Sequence, residues 1–353
     1  MTDLFSFYRG KRVFVTGHTG FKGGWLCRLL ALAGAEVCGY AQDPAEPSFF
    51  RLCGFTGEDV RGDVRDHPRL SEAVRQFRPQ LAFHLAAQPL VAEGFRFPRE
   101  TFEVNVMGTV NFLEALRASP VRSAVVVTTD KVYAEEGKAC REGDPLDGFD
   151  PYANSKSCAD LISGCYARCL LQGTAVSRMR AGNSLGGGDY AAGRILPDCV
   201  RAAERGEPVR VRDPRSVRPY QHVLEAVSAY LQLAAMQYED PRLAGSYNVA
   251  PLCGTSTGEL AGLFCAAWGC SWRQGGEPLP HEAAALYLEG SKLRGLGVLP
   301  RWSVRQAVEK TVEWEKARLA GRDLRAVTDA QIEEYFSSPP QGCAINAARR
   351  DTE

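Results

Sequence analysis

Short apolar runs alternate with helical patterns over the first half of the chain. β-branched and other apolar residues cluster at residues 11–16, 36–41, 81–85, 123–128 and 174–180. Residues 24–33, 97–117 and 152–171 instead carry apolar positions at the spacing of helices. Strands that alternate with helices are typical of β-α-β units in a parallel sheet. We therefore expect an α/β fold with a Rossmann-type, doubly wound parallel sheet.

A glycine-rich turn joins the first strand to the first long helix. It reads Gly17-His18-Thr19-Gly20-Phe21-Lys22-Gly23. Glycines permit the tight turn and a close approach of the backbone to a pyrophosphate, whose charge the helix N-terminus attracts. Strand, turn and helix in this order are typical of a dinucleotide site.

The regular alternation ends near residue 181, and later elements are shorter. We predict a dinucleotide-binding domain at 1–181, with return segments near 215–250. Residues 182–336 are expected to form mainly a smaller C-terminal α/β substrate domain. A polar tail at 337–353 is expected to be mobile.

Acidic residues follow the second strand, at 36–41, and a third short strand that ends before Gly62. Asp43 lies about twenty residues past the last glycine, where a carboxylate accepts hydrogen bonds from the adenosine ribose and repels a 2′-phosphate. This placement favours NAD over NADP, although Asp43 can equally be a turn residue before Pro44. Asp63, which is followed by Val64, is predicted to meet the adenine amino group.

The strand at 81–85 is followed by small residues. Ala86 and Ala87, which precede Gln88, let a flat cofactor pass closely. His84 lies inside the strand, and we interpret it as a core histidine with its hydrogen bonds satisfied rather than as a ligand.

The strand at 123–128 ends in Thr128-Thr129-Asp130-Lys131, and a helix then opens with Tyr152-Ala153-Asn154-Ser155-Lys156. A tyrosine and a lysine four apart share a helix face, so we expect the ammonium to favour the deprotonated phenol. Such a phenolate accepts the proton of a sugar or alcohol hydroxyl while a nicotinamide accepts the hydride. The alternatives are a solvated helix face for the tyrosine and lysine, and a strand-end charge pair or turn for Asp130-Lys131.

Composition narrows the possible partners. The 353 residues are 45% hydrophobic, and the 42 Lys and Arg balance the 42 Asp and Glu. The balance argues against nucleic acid or an anionic membrane as a main partner. The start of the chain lacks a leader pattern, and no apolar run has the length of a membrane span, so we expect a cytoplasmic protein. The 12 cysteines are scattered, and we interpret them as small apolar residues rather than a metal site or disulfides.

Four motifs make the chain resemble the nucleotide-sugar 4,6-dehydratases of the extended short-chain dehydrogenase/reductase family. They are the glycine motif continued to Leu26, His84-Leu85-Ala86-Ala87-Gln88-Pro89-Leu90-Val91, Asn105-Val106-Met107-Gly108-Thr109 and Arg218-Pro219-Tyr220-Gln221-His222-Val223. Members that act on dTDP-glucose or GDP-mannose carry Asp-Glu at the strand tip. The members that act on CDP-glucose resemble this chain in carrying Asp-Lys.

The resemblance implies NAD-dependent loss of water from a nucleotide hexose, giving a 4-keto-6-deoxy sugar. Tyr152 then removes the proton of the hydroxyl on carbon 4, with Lys156 lowering the phenol pKa and Thr129 bonded to the same oxygen. Lys131 removes the proton on carbon 5, and Asp130 protonates the hydroxyl that leaves carbon 6.

The motifs and the resemblance together give two sets of candidate binding residues and no metal ligand. The cofactor set is Gly17, His18, Gly20, Phe21, Lys22, Gly23, Asp43, Asp63, Val64, Ala86, Ala87, Gln88, Asn105, Thr128, Tyr152 and Lys156. The substrate set is Gln88, Asn183, Arg194, Arg212, Arg218 and Tyr247. Arginines are expected on the diphosphate because guanidinium forks match phosphate oxygens. His18 stands where glycine is frequent, and we expect it to crowd the cofactor.

Two other functions stay open. A sugar-nucleotide epimerase needs Tyr152 and Lys156 but neither Asp130 nor Lys131, and a cofactor-binding protein without activity needs none of them. The chain also departs from its relatives at Ala92-Glu93-Gly94 and over residues 134–140, near the expected sugar pocket. By analogy with the family, the helices at 97–117 and 152–171 are expected to pair in a homodimer.

Overall fold

The computed structural model describes residues 2–134, 138–276 and 284–341. Residues 342–353 of the expected tail lie outside this part of the chain. Within it, residue 337 still belongs to the last helix.

Fifteen strands occur in the described residues. They are β1 (Arg12–Thr16), β2 (Glu36–Ala41), β3 (Glu58–Arg61), β4 (Leu81–His84), β5 (Ser123–Thr129), β6 (Ala139–Cys140), β7 (Ala175–Ala181), β8 (Ser184–Leu185), β9 (Val209–Val211), β10 (Val217–Arg218), β11 (Gln221–His222), β12 (Ser246–Val249), β13 (Thr255–Ser256), β14 (Trp272–Gln274) and β15 (Tyr287–Leu288).

Fourteen α-helices connect them in the same ranges. They are α1 (Thr2–Tyr8), α2 (Phe21–Leu32), α3 (Phe49–Cys53), α4 (His67–Phe77), α5 (Val91–Arg96), α6 (Pro98–Phe102), α7 (Gly108–Arg117), α8 (Pro151–Cys169), α9 (Ile195–Glu204), α10 (Val223–Glu239), α11 (Thr257–Trp268), α12 (Ser291–Arg294), α13 (Val304–Leu319) and α14 (Leu324–Ser337). The predicted helix at 97–117 is α6 and α7 joined by a π-helical turn, Glu103–Met107.

Seven strands form one central sheet in the order β12-β7-β5-β4-β1-β2-β3. All six neighbouring pairs are parallel. The order reverses at β1, since the chain first runs outward through β2 and β3 and then crosses to β4 on the other side. This is the predicted doubly wound α/β sheet, and ligands of such sheets bind at the carboxyl ends of the strands.

The central strands have apolar residues on both faces because helices cover both sides. All seven residues of β5 are buried. One face carries Val125 and Val127 into a core with α2 and α10, whereas the other carries Ala124 and Val126 into a core with α4 and α7. The two cores fix the sheet and thereby the positions of its strand tips.

A third, smaller core lies beyond the sheet. It is formed by apolar residues of α9, α11 and α13 with strand β9, among them Leu196, Val209, Phe264 and Val308. The chain returns to the sheet in two places, since α10 packs in the first core and β12 extends the sheet edge. Trp314 and Tyr335, late in the chain, also pack in the first core.

None of the helices in the described ranges has the length and apolar character needed to cross a bilayer. In the same ranges, no group of three or more His, Cys, Asp or Glu side chains is arranged to hold a metal ion.

Candidate active site

Two clefts meet at the carboxyl ends of the sheet strands. The first, of about 560 Å³, runs from the glycine-rich turn across the tips of β2, β3 and β4 to Tyr152. The second, of about 500 Å³, runs from the tip of β5 toward the third core. Seven residues line both clefts: Lys22, Pro89, Leu90, Thr128, Tyr152, Asp189 and Arg194.

The glycine-rich turn leaves no room for a side chain at Gly17 or Gly23. Gly17 has a φ of 78°, and a Cβ there would lie 2.6 Å from the backbone nitrogen of Ala86. A Cβ on Gly23 would lie 2.1 Å from the carbonyl oxygen of Gly17. Gly20 precedes α2 without a side-chain cap, so the amides at the start of α2 stay open toward the first cleft. The turn therefore fits a pyrophosphate at a helix N-terminus.

Most of the predicted cofactor residues line the first cleft, and three do not. Residues that line the first cleft are Gly17, Gly20, Phe21, Lys22, Gly23, Asp43, Asp63, Val64, Ala86, Ala87, Thr128, Tyr152 and Lys156. His18, Gln88 and Asn105 are not among its lining residues.

His18 points away from the first cleft. Its Nε2 lies 2.9 Å from Asp59 Oδ1, and its ring packs against Phe50 and Phe55. Burial lowers the His18 pKa despite the neighbouring carboxylate. The expected crowding of the cofactor by this side chain is thus absent from the structure, because the ring fills the space behind the turn.

Gln88 and Asn105 are hydrogen-bonded to each other. Asn105 Oδ1 accepts from the Gln88 backbone N–H at 2.8 Å, and Asn105 Nδ2 donates to the Gln88 carbonyl at 3.1 Å and to Ser155 Oγ at 2.9 Å. These bonds fix the segment whose next residues, Pro89 and Leu90, line both clefts.

His84 has the structural role that the sequence predicted. Its two ring nitrogens lie 2.8 Å from Thr16 Oγ1 and 3.1 Å from Thr109 Oγ1, and the ring stacks on Phe112. Burial lowers its pKa to about 3, so the ring is neutral.

The tyrosine and the lysine are brought to the cleft by α8. Asp150 caps this helix by accepting from the Ala153 N–H at 2.9 Å, and Pro151 occupies the first turn. Lys156 donates to the Val127 carbonyl at 2.8 Å. Burial and the charge of Lys22 lower the Lys156 pKa to about 8.

The phenol of Tyr152 is not acidified in this structure. Burial raises its pKa to about 12, although a hydrogen bond with Thr129 and the charge of Arg194 act in the opposite direction. The Lys156 ammonium, which the sequence predicted to lower this pKa, donates to the Val127 carbonyl of β5. The phenol is therefore protonated at neutral pH in the unliganded chain.

The tip of β5 faces the second cleft. Thr129, Asp130 and Lys131 all line it. Thr129 Oγ1 donates to Asp130 Oδ1 at 2.8 Å. Asp130 Oδ2 is buried and has no hydrogen-bond partner among the described residues. An unpaired buried carboxylate oxygen is costly, so this atom indicates a place for a ligand hydroxyl.

The far part of the second cleft is lined by arginines. The sequence predicted three of them, Arg194, Arg212 and Arg218. The structure adds Arg210, which lies on β9, whereas Arg212 directly follows that strand. Arg194 pairs with Asp189 at 3.0 Å, whereas Arg218 donates to the Val217 carbonyl at 2.8 Å. Asn183 lines the same cleft. This concentration of guanidinium groups suits a diphosphate.

Tyr247 is not part of either cleft lining. It is buried on β12, where its hydroxyl donates to the Leu243 carbonyl at 2.6 Å and its ring meets the Lys292 ammonium. In the segment 134–140, where the chain departs from its relatives, residues 135–137 lie outside the described residues.

Comparison with known proteins decides the family. Residues 13–250 match the model of the NAD dependent epimerase/dehydratase family. The chain belongs to this family. Family membership confirms the predicted NAD cofactor, and the glycine-rich turn described above has the space for it.

Individual relatives cover nearly the whole chain. The CDP-glucose 4,6-dehydratase of Salmonella typhimurium is 39% identical over 352 residues, which span 94% of this chain and 98% of that protein. This similarity confirms the predicted resemblance to the nucleotide-sugar dehydratases.

Solved structures share the fold. The UDP-glucose 4-epimerase of Thermus thermophilus in complex with NAD is 27% identical, with a TM-score of 0.74 over 86% of this chain and 98% of that one. A dTDP-glucose 4,6-dehydratase from Streptomyces venezuelae, solved with NAD bound, is 24% identical, with a TM-score of 0.74 over 88% and 98%.

Proposed function

We propose that this protein is an NAD-dependent 4,6-dehydratase of nucleotide hexoses and that its substrate is CDP-glucose. The observation that carries the proposal is the convergence of two proton-transfer sets on one cleft. Tyr152 and Thr129 serve an oxidation, whereas Asp130 and Lys131 add the acid and base that an elimination requires.

NAD, when bound, supplies the hydride acceptor for carbon 4 and the hydride donor for carbon 6. The chain's own contribution to its binding is the side-chain-free turn at Gly17 and Gly23 and the open amides of α2. Asp43 and Asp63, which line the adenosine end of the cleft, are assigned to the ribose and the adenine.

Tyr152 accepts the proton of the hydroxyl on carbon 4. Thr129, at the tip of β5, lowers the pKa of this phenol against the effect of burial. Because burial keeps the phenol pKa at about 12 even though Thr129 and Arg194 lower it, the positive charges around the phenol must act more strongly once ligands exclude water. Arg194 already lowers this pKa, and Lys156 acts when its ammonium turns from the Val127 carbonyl to the ligands.

Lys131 and Asp130 carry out the elimination. The new ketone makes the proton on carbon 5 acidic, and Lys131, in its neutral form, removes it. Asp130, in its protonated form, gives its proton to the hydroxyl leaving carbon 6, so that water departs. The environment of Asp130 Oδ2 supports this role, because the atom is buried beside the cleft and accepts no hydrogen bond from the described residues.

The cytidine diphosphate is assigned to the arginine-lined end of the second cleft. Arg218, Arg212, Arg194 and Asn183 keep the roles that the sequence suggested, and Arg210 joins them. The preference for a cytidine nucleotide rests on the Asp130-Lys131 pair and on the 39% identity to the Salmonella enzyme.

A mass measurement tests the function. Purified protein with NAD+ is incubated separately with CDP-, dTDP-, UDP- and GDP-hexoses, and the products are followed by liquid chromatography and mass spectrometry. We expect loss of one water from CDP-glucose with no net NADH. Loss of water from another nucleotide would keep the reaction and reject the base. An isomer of unchanged mass would favour an epimerase.

We also propose that two copies associate through α7 and α8. Met107 at the start of α7 is 50% exposed and Leu161 on α8 is 57% exposed, and the two helices contact each other. Large apolar side chains on adjoining helices suit burial against a second copy. Sedimentation velocity should show a dimer that Leu161→Glu dissociates, and a wild-type monomer at micromolar concentration would contradict it. The expected cytoplasmic location and the absence of membrane and nucleic-acid partners remain predictions from the sequence.

A further inference from the structure

Two thiols meet at the end of helix α11. The Cys270 thiol donates to the Cys265 sulfur with a sulfur–sulfur distance of 3.2 Å. Both residues are free cysteines. From the sequence alone they are predicted to be small apolar residues without a disulfide. Packing as apolar residues does not require the two sulfurs to lie this close together.

The backbone brings these sulfurs together. Gly269 ends α11 with a φ of 93°, and the N–H groups of both Gly269 and Cys270 donate to the Cys265 carbonyl, at 2.9 Å and 3.1 Å. Such a left-handed helix end turns the chain back over the last helical turn. Hydrogen-bonded backbone therefore holds the two cysteines beside each other.

The two thiols differ in environment. Cys265 is 6% exposed within the third core, and burial followed by the hydrogen bond from Cys270 raises its pKa to about 12. Cys270 is half-buried at the surface end of the pair. An oxidant therefore reaches Cys270 first, and Cys265 is held beside it as the second thiol.

We propose that Cys265 and Cys270 are a redox modification site, a dithiol that peroxide converts to an internal disulfide and that small thiols reopen. Peroxide oxidises the Cys270 thiol to a sulfenic acid, breaking its O–O bond and releasing water. The Cys265 sulfur then attacks the Cys270 sulfur, losing its proton, and the sulfenic oxygen leaves as a second water. Two thiols and one peroxide thus give one disulfide and two waters.

Strands β14 and β9 link the cysteine pair to the second cleft. A disulfide bond is about 2.05 Å long, so closure pulls Cys270 toward α11. Two residues later β14 begins, and Arg273 of β14 pairs in register with Arg210 of β9. Arg210 and Arg212 line the arginine end of the cleft. Closure is therefore expected to displace these guanidinium groups and weaken binding of the nucleotide diphosphate. This consequence rests on the proposed function, whereas formation of the bond does not.

Chemical mapping tests the bond. The full-length wild-type protein is treated with hydrogen peroxide, denatured in N-ethylmaleimide, digested and analysed by mass spectrometry. We expect the Cys265–Cys270 segment to lose both labels and two hydrogen atoms, and dithiothreitol to restore labelling. Cys270→Ser should abolish the change, whereas Cys253→Ser, at an exposed thiol elsewhere, should behave as wild type. Labelling of both cysteines, a sulfinic acid at Cys270 or a bond between other cysteines would overturn the proposal, and the wild-type result decides even if a variant does not fold.

A binding experiment tests the consequence. CDP and NAD are each titrated into peroxide-treated and dithiothreitol-treated wild-type protein in a calorimeter. We expect a severalfold loss of CDP affinity on oxidation, no change for NAD, and no response in Cys270→Ser. Equal CDP affinity in both forms, with the disulfide present, would overturn the link to the cleft. CDP binding to neither form would count against the proposed function, because the mapping of the disulfide is independent of any substrate.

Discussion

Two polar clusters lie at the carboxyl end of strand β5 and differ in one respect. The inner cluster joins Thr128, Asp160 and Arg180. Thr128 Oγ1 donates to Asp160 Oδ2 at 3.0 Å, and Arg180 donates to both carboxylate oxygens at 2.8 Å. Both charged side chains are 3% exposed or less. Every polar atom of the Asp160 carboxylate therefore has a protein partner.

The outer cluster is Thr129, Asp130 and Lys131. Its carboxylate is almost as deeply buried, at 4% exposure, yet one oxygen has a threonine partner and the other has none among the described residues. The Asp130 carboxylate, which bonds the next threonine along β5, is thus left with one oxygen unpaired. A buried charge that is paired serves the fold, whereas one left unpaired beside a cleft indicates a ligand.

Loss of the Tyr152 hydroxyl should have the largest effect on turnover. Tyr152→Phe removes the group that accepts the substrate proton, and we expect turnover to fall by about a thousandfold with NAD affinity within a few-fold of wild type. Product formation by mass spectrometry and NAD titration measure the two quantities. Tyr166→Phe is the matched control, because that hydroxyl bonds Glu114 outside both clefts. Turnover near the wild-type level in Tyr152→Phe would remove the tyrosine from the reaction.

Neutralising each carboxylate tests the comparison directly. Asp160→Asn leaves Arg180 buried without its counter-charge, and we expect the free energy of unfolding to fall by about 3 kcal/mol or more. Asp130→Asn removes no complete ion pair and should change it by less than about 1 kcal/mol while abolishing dehydration. Urea unfolding followed by circular dichroism gives both values. Equal destabilisation by the two variants would show that the clusters do not differ in role.

Removal of the proposed base should stop the reaction part-way. Lys131→Ala is expected to lower dehydration by about a hundredfold. Oxidation at carbon 4 should persist, so NADH absorbance should appear in a single turnover and remain. Lys316→Ala, on the surface of α13, is the matched control. An epimerase would keep most of its turnover in Lys131→Ala, and that result would assign the outer cluster to structure.

Lys22 should show the smallest of these effects. It lines both clefts, and burial and Arg194 lower its pKa to about 8, against the opposing charges of Asp130 and Asp189. Its charge is present below that pKa and lost above it, so NAD affinity should decrease as pH rises from 7 to 9. Lys22→Met should weaken NAD binding by about tenfold at pH 7 and flatten this pH dependence. Calorimetric titration measures both, and an unchanged pH profile in the variant would assign the dependence elsewhere.

The sequence predicted the sheet and the cofactor turn well because their signals are local. Gly17, Gly20 and Gly23 lie within one turn, and the strand tips follow directly from the apolar runs. Tyr152 and Lys156 share one helix face, so their approach to β5 followed once that helix was placed beside the strand.

Features that depend on distant parts of the chain were missed. Arg180 of β7 meets Asp160 because α8 packs against β7, and no spacing in the sequence indicates that pair. The bond between Gln88 and Asn105, across 17 residues, was likewise not predicted, and their contacts with ligands stay a prediction. Tyr247 was predicted to bind substrate, whereas on β12, which pairs with β7, it packs in the first core. The phenol pKa was predicted from charge alone, and burial outweighs it.

The measurement that tests the role of the outer cluster most directly is the reaction of CDP-glucose with the wild-type enzyme in deuterium oxide. A base that removes the proton on carbon 5 exchanges it with solvent before that carbon is protonated again. We predict a product that has lost one water and carries one carbon-bound deuterium, located on carbon 5 by nuclear magnetic resonance. A product of unchanged composition, or one without deuterium at carbon 5, would contradict the account and leave Asp130 and Lys131 without a part in the chemistry.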